Sequence, residues 1–210
     1  AENGLSLELP SKERLFSKLN LQNKPYFMVA FHPETITGQS VEEQVDQLLL
    51  ALDSFKSDYQ FVFIGSNSDT HSDVIFTKVK SYTDENRFAF FTSVKPEEYL
   101  ALIKYSKGLI GNSSSGLLEA PSLQVGTVNI GKRQEGRVRG ESVIDVESNR
   151  QSIEQGIQHL LSDDFQKRLP TMVNPYYQDN SAEKAYGLIK AFLASESGNK
   201  PKRFYDLENK

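Results

Sequence analysis

Tyr26-Phe27-Met28-Val29-Ala30-Phe31 is an uninterrupted apolar run of strand length. A run of this kind suits a strand covered on both faces, as in a parallel sheet whose crossovers are helices. The segments that follow keep to that scheme. Ser40 with Glu43 three residues on reads as a capping box, and Val41, Val45, Leu48, Leu49 and Leu52 then share one helical face. Phe61-Val62-Phe63-Ile64 is the second predicted strand, with a helix over 73–82 behind it. Phe88-Ala89-Phe90-Phe91 is the third, and Pro96 sits at the first turn of a helix carrying Tyr99, Leu102 and Ile103. Leu109-Ile110 is a short fourth strand, followed by a helix through Leu117, Leu118 and Leu123. Thr127–Ile130 and Val143–Val146 are the fifth and sixth, and helices over 153–161 and 182–192 close the chain. Alternation of strand and helix through five units predicts an α/β fold with an open, doubly wound, Rossmann-like parallel sheet. Residues 1–24 read as a lead-in or linker ending in an amphipathic stretch from Lys12 to Leu19. Residues 25–170 read as the sheet domain, 171–195 as a C-terminal helix and 196–210 as a polar tail.

Composition narrows the function classes. The 210 residues suffice for a self-standing core. A net charge of −4 argues against a non-specific nucleic-acid binder, which needs a basic surface to displace counterions. The chain has no cysteine, which excludes disulfides, thiolate catalysis and cysteine-ligated zinc, and the cytoplasm is the expected compartment. Ala1 to Ser11 is polar and lacks the apolar segment of a signal peptide. No apolar run approaches the roughly 20 residues that span a bilayer, so no membrane partner is expected. The start at Ala1 rather than methionine fits a trimmed or processed chain.

In open α/β sheets, ligands bind beyond the carboxyl ends of the strands, so the turns after the strands carry the functional signal. They are His32-Pro33-Glu34-Thr35, Gly65-Ser66-Asn67-Ser68-Asp69, Thr92-Ser93-Val94, Gly111-Asn112-Ser113-Ser114-Ser115-Gly116 and Gly131-Lys132-Arg133-Gln134-Glu135-Gly136-Arg137. The run from Gly111 to Gly116 places hydroxyls and small residues before a helix, whose unpaired first amides bind phosphate. A serine N-cap, which satisfies those amides itself, is the competing explanation. Glu119 could accept two hydrogen bonds from a ribose diol, although on the residues alone it reads as a glutamate favoured near a helix start. Lys132, Arg133, Arg137 and Arg139 could neutralise a pyrophosphate or simply form a solvated loop. His32, held extended by Pro33, could donate to a phosphate oxygen or act as an acid. His71 and His159 are the other histidines, and three scattered histidines make no metal site. There is no G-x-G-x-x-G after the first strand and no Walker lysine.

Taken in order and spacing, the turns at His32–Thr35, Ser66–Asp69, Gly111–Gly116 with Glu119, and Asn129–Arg137 resemble the hydrolysing, UDP-releasing UDP-N-acetylglucosamine 2-epimerases. The similarity runs from residue 25 to about 193, and Arg203-Phe204-Tyr205-Asp206 is similar to the ends of these enzymes. Non-hydrolysing relatives usually carry arginine after the first histidine and Asp-Ser-Gly-Gly at the fourth strand. This chain has Pro33 and Asn112-Ser113-Ser114-Ser115 instead.

The resemblance implies the C-terminal half of a two-domain GT-B fold with the active site in the cleft. It implies phosphate binding by Ser113 and Ser114, ribose binding by Glu119 and uracil contact through the Val94 backbone. Asn67 and Arg133 would line the nucleotide-sugar site, and His32, the one catalytic candidate of this half, would lie by the phosphates. The implied reaction is loss of UDP from UDP-GlcNAc through a glycal, then addition of water to give N-acetylmannosamine, with no metal and no cofactor. The acid and base carboxylates would belong to an N-terminal domain of roughly 170 residues, an ordinary domain size, which is a required partner. Members of the family are often dimers or tetramers, so a homo-oligomer is a further expected partner. A GT-B glycosyltransferase donor domain and a non-catalytic nucleotide-binding module are the alternatives. A diacetamido-trideoxy sugar could replace GlcNAc.

Overall fold

The computed structural model describes residues 6–34, 38–65, 72–86 and 88–195. Its centre is β1 (Tyr26–Ala30), buried along its whole length. β2 (Gln60–Ile64) and then β3 (Ala89–Phe91) extend the sheet on one side of β1. β4 (Leu109–Gly111), β5 (Thr127–Ile130) and β6 (Val143–Val146) extend it on the other. The order is β3-β2-β1-β4-β5-β6 and every neighbouring pair is parallel. That is the doubly wound arrangement, with its topological switch point between β1 and β4.

Strand alternation sorts the apolar side chains onto two faces. Phe27, Val29, Phe61, Phe63, Ile110 and Val128 join the core under α2 (Val41–Asp53), α3 (Ser72–Asn86), α6 (Arg150–Leu161) and α7 (Asp163–Arg168). Tyr26, Met28, Val62 and Leu109 join the core under α1 (Lys12–Leu19) and α4 (Pro96–Lys104). Each fully buried Phe or Leu contributes about 1.5–3 kcal/mol. Packing on both faces therefore holds even β4, which has three residues. The capping box at Ser40 and Glu43 is present in both directions, at 3.2 and 3.0 Å.

Three elements differ from the sequence expectation. The lead-in stretch is a capped helix, α1, with the Ser11 hydroxyl accepting from the Arg14 amide and Leu15 and Phe16 inserted in the core. Lys18 on α1 pairs with the buried Glu98 of α4, and this bond is the main cause that holds the Glu98 carboxyl below the usual range. The helix after β4 is broken. α5 (Ser115–Leu118) makes one turn, and a 3-10 turn over Ala120–Leu123 follows. Pro121 explains the break, because it has no N–H to give to the Leu117 carbonyl and its ring crowds that carbonyl. Finally, α7 was not predicted, although Ser162 caps it through the Phe165 amide and Phe165 is buried. The sheet unit ends at Tyr177, and a second unit from Gln178 contains α8 (Ser181–Ala194). Among the described residues, no helix is long and apolar enough to cross a membrane.

Candidate functional site

The carboxyl ends of β1 and β4 lead into His32 and Asn112. The last ladder bond runs from the Asn112 amide to the Ala30 carbonyl, 3.2 Å. Beyond it the two chains separate, and the fully buried Asn112 side chain fills the gap. Its Oδ1 accepts from the His32 amide at 2.7 Å, and its Nδ2 donates to the His32 carbonyl at 2.8 Å. The Asn112 carbonyl in turn accepts from Gln134 Nε2 at 2.7 Å and from Arg133 Nη1 at 3.2 Å. The Arg133 amide donates to Glu34 Oε1, 2.8 Å. The Glu34 carboxylate lies over Gly131, which has φ +73°, and a Cβ at Gly131 would stand 2.5 Å from Glu34 Oε1. The turns after β1, β4 and β5 are thus bonded into one cluster holding His32, Asn112, Arg133 and Glu34.

Next to this cluster the chain turns into α5. The backbone amides of Ser113 and Ser114 find no acceptor among the described residues. Ser114 occupies the N-cap position, yet its hydroxyl caps nothing. The Ser113 hydroxyl accepts the Ser115 amide at a long 3.4 Å. The N-cap explanation of the serine run therefore does not hold for Ser114. Two amides without an acceptor among the described residues remain, beside the half-buried Ser114 and the buried Ser113, which is the hydrogen-bonding half of an anion site. The other half of the sequence argument weakens, because a one-turn helix has little macrodipole.

On the other side of α5 lies an open cleft of about 570 Å³, lined by Thr92, Ser93, Val94, Tyr99, Ser115 and Glu119 among others. Its size is that of a small-molecule site. Glu119 stands at the junction of α5 and the 3-10 turn, and its Oε2 is buried without a hydrogen-bond partner among the described residues. The Val94 amide and carbonyl also lack partners among the described residues. The Tyr99 hydroxyl lies within interaction range of Ser115 and Ser113, so it backs both the cleft and the serine turn. Burial pushes the Tyr99 hydroxyl above its usual value, the two serines oppose this, and the Glu119 charge adds to it.

His32, Ser113, Ser114, Arg133, Glu119 and Val94 accordingly all stand on the carboxyl edge of the sheet, in two adjoining clusters around α5. Two other basic side chains of the loop have partners or surroundings of their own. Arg139 pairs with Asp145 and also donates to the Gln134 carbonyl, 2.7 Å. Lys132 lines a cleft along β6 and a second one that it shares with Glu34. Thr35, Asn67 with its neighbours Ser66 to Asp69, His71 and Arg203–Asp206 lie outside the described residues. Two members of the site went unassigned in the sequence. Tyr99 reads there as one more apolar-face residue of a helix, and Asn112 as one polar residue among small ones. The signal for Asn112 was its position at the exit of a buried strand, where an amide side chain has little to bond except backbone.

The family model described as UDP-N-acetylglucosamine 2-epimerase matches residues 5–190, and the chain belongs to that family. It is 50% identical over 207 residues to the polysialic acid biosynthesis protein P7 of Escherichia coli, covering 99% of this chain and 53% of that protein. It is 31% identical over 147 residues to the hydrolysing GDP/UDP-N,N'-diacetylbacillosamine 2-epimerase of Campylobacter jejuni, covering 69% of this chain and 38% of that protein. Among solved structures, the S. aureus MnaA–UDP co-structure superposes with a TM-score of 0.68 at 18% identity, over 95% of this chain and 52% of that one. The chain spans about half the length, or less, of the curated relatives it matches. Its fold is the C-terminal, Rossmann-like half of a GT-B architecture.

Proposed function

We propose that this chain is the UDP-gripping half of a hydrolysing UDP-N-acetylglucosamine 2-epimerase. The uracil edge meets the Val94 backbone, the ribose hydroxyls meet Glu119, and the phosphates lie across Ser113 and Ser114 with His32 and Arg133 beyond. Asn67 lines the same nucleotide-sugar site. The observation that carries the reading is Glu119 Oε2, a buried carboxylate oxygen with no partner among the described residues, in the cleft that also holds the Val94 backbone, likewise unpaired among them. An unpaired buried acceptor is costly, and a ribose hydroxyl satisfies it. The identity to a polysialic acid biosynthesis protein and to a hydrolysing 2-epimerase supports UDP-GlcNAc conversion to N-acetylmannosamine and UDP, on the way to acidic cell-surface sugar. Residues 25–170 are taken as the nucleotide-binding part, within a sheet unit whose core also includes α1 and which runs to Tyr177. In this reading the partners are the other half of the fold and a second copy of the protein, and the compartment is the cytoplasm.

Titration of labelled chain with UDP and with AMP tests the assignment. UDP is expected to shift amides from Ser113 to Gly116, since those donors are already placed. No shift there, or a preference for AMP, counts against uridine. A second measurement isolates the ribose contact. Glu119→Ala is expected to narrow the affinity gap between UDP and 2′-deoxy-UDP by about ten-fold, the worth of a hydrogen bond to a charged group. A variant that discriminates as well as the parent reduces Glu119 to a turn residue.

A further inference from the structure

The buried amide of Asn112 has a second consequence. A parallel ladder holds strands about 4.8 Å apart, and β1 and β4 leave that spacing after Ala30 and Gly111. A side-chain amide carries the same donor and acceptor as a peptide group. Inserted between the parting chains, Asn112 continues the pairing one step further at a greater width, bonding both backbone groups of His32 across 80 residues of sequence. Aspartate lacks the donor and serine lacks the reach. Pro33, which has no N–H, leaves the next residue unable to take over. The Asn112 carbonyl also receives the side chains of Arg133 and Gln134. Arg133 is therefore fixed at its backbone by Glu34 and at Nη1 by Asn112, while its other guanidinium N–H groups find no partner among the described residues.

We infer that Asn112 is the positioning residue for the phosphate end of the site, setting His32 through its side chain and Arg133 through its carbonyl. The inference rests on the reading of His32 and Arg133 given above. Asn112 touches no phosphate itself. It fixes the width of the switch-point crevice and so the distance from His32 and Arg133 to the serine amides. A diphosphate needs that spacing, and a nucleoside without phosphates does not.

The test is a mutant cycle on the chain, with dissociation constants for UDP and uridine measured for the parent, His32→Ala, Arg133→Ala, Asn112→Ala, and Asn112→Ala combined with the first two. The carbonyl of residue 112 survives in Asn112→Ala, so the expected loss runs chiefly through His32. Asn112→Ala is expected to weaken UDP about ten-fold relative to uridine, comparable with one hydrogen bond to a charged group. In the His32→Ala background the same substitution should cost UDP almost nothing more, since coupled residues are not additive. Equal losses for UDP and uridine, or full additivity with His32→Ala, overturn the positioning role. If His32→Ala and Arg133→Ala alone leave the UDP-to-uridine ratio unchanged, the phosphate reading itself fails, whatever Asn112 does. Should Asn112→Ala lose amide dispersion, Asn112→Ser, with room for a bridging water, carries the comparison. Unfolding of both makes Asn112 a residue of the fold only and overturns the inference.

Discussion

Gly111→Ala is expected to destabilise the chain by roughly 4 kcal/mol or more, among the larger single-residue effects. Gly111 ends β4 with φ +138°, a conformation open to glycine alone at little strain. A Cβ built there would lie 2.1 Å from the Ala30 carbonyl oxygen and 2.6 Å from its carbonyl carbon. Both obstacles are backbone of the central strand, so no side chain can swing aside. Relief requires β1 and β4 to part, which breaks the bond from the Asn112 amide to Ala30 at the switch point. For a domain of this size the thermal midpoint should fall on the order of 10 °C, followed by circular dichroism on heating. Gly136→Ala is the control, since it removes a glycine of φ +78° with no atom near its added Cβ. It should cost only the local strain, about 1–2 kcal/mol. A Gly111→Ala variant melting with the parent would mean that the two strands do not approach this closely.

The same glycine illustrates what the sequence reveals and what it conceals. All six strands were legible as short, mostly apolar runs, most clearly β1, which is apolar and buried along its whole length, and least clearly β6, where Asp145 is exposed. The five-unit alternation then dictated the winding, and with it the edge on which ligand residues collect. Legibility failed where long-range contact decides. Leu15 and Phe16 sit in an amphipathic stretch read only as a lead-in, and their packing against α4 is what makes α1 part of the core. The periodicity of Leu117, Leu118 and Leu123 suggested one helix, but Pro121 outweighs three apolar positions. Within the site, residue types could be chosen from the turns, but pairings could not. Glu34 meets Arg133 across 99 residues of sequence, and nothing local distinguishes it from a solvated glutamate or a catalytic one. The four basic residues of the loop after β5 look equivalent in the sequence, yet Asp145 draws Arg139 away while Asn112 retains Arg133.

The chain by itself is expected to release no UDP from UDP-GlcNAc above background. Elimination needs a base for the proton at C2 and a setting that stabilises the departing pyrophosphate. Under the proposed function the second requirement is met here, by the unpaired amides of Ser113 and Ser114 with His32 and Arg133 opposite. The first is not. Glu34 and Asp69 are the carboxylates next to these turns in the sequence. Glu34 is committed to the Arg133 amide and packed on Gly131, where a base would have to face the sugar. Asp69 lies outside the described residues. Glu119 is separated from the His32 cluster by α5 and serves the ribose in this reading. A sugar held by one wall also stays hydrated and free to turn, and orientation alone is worth about 7–11 kcal/mol of barrier. That corresponds to at least ~10⁵ in rate, enough to place turnover below detection even if a weak base were in reach. The assay follows UDP and N-acetylmannosamine release, first with the chain and then with the chain joined to the other half of the fold from a full-length relative. Turnover only in the joined protein places the base in that half. Robust release by the chain alone would mean that the base lies within these residues, and Glu34 and Asp69 would then be the first positions to substitute.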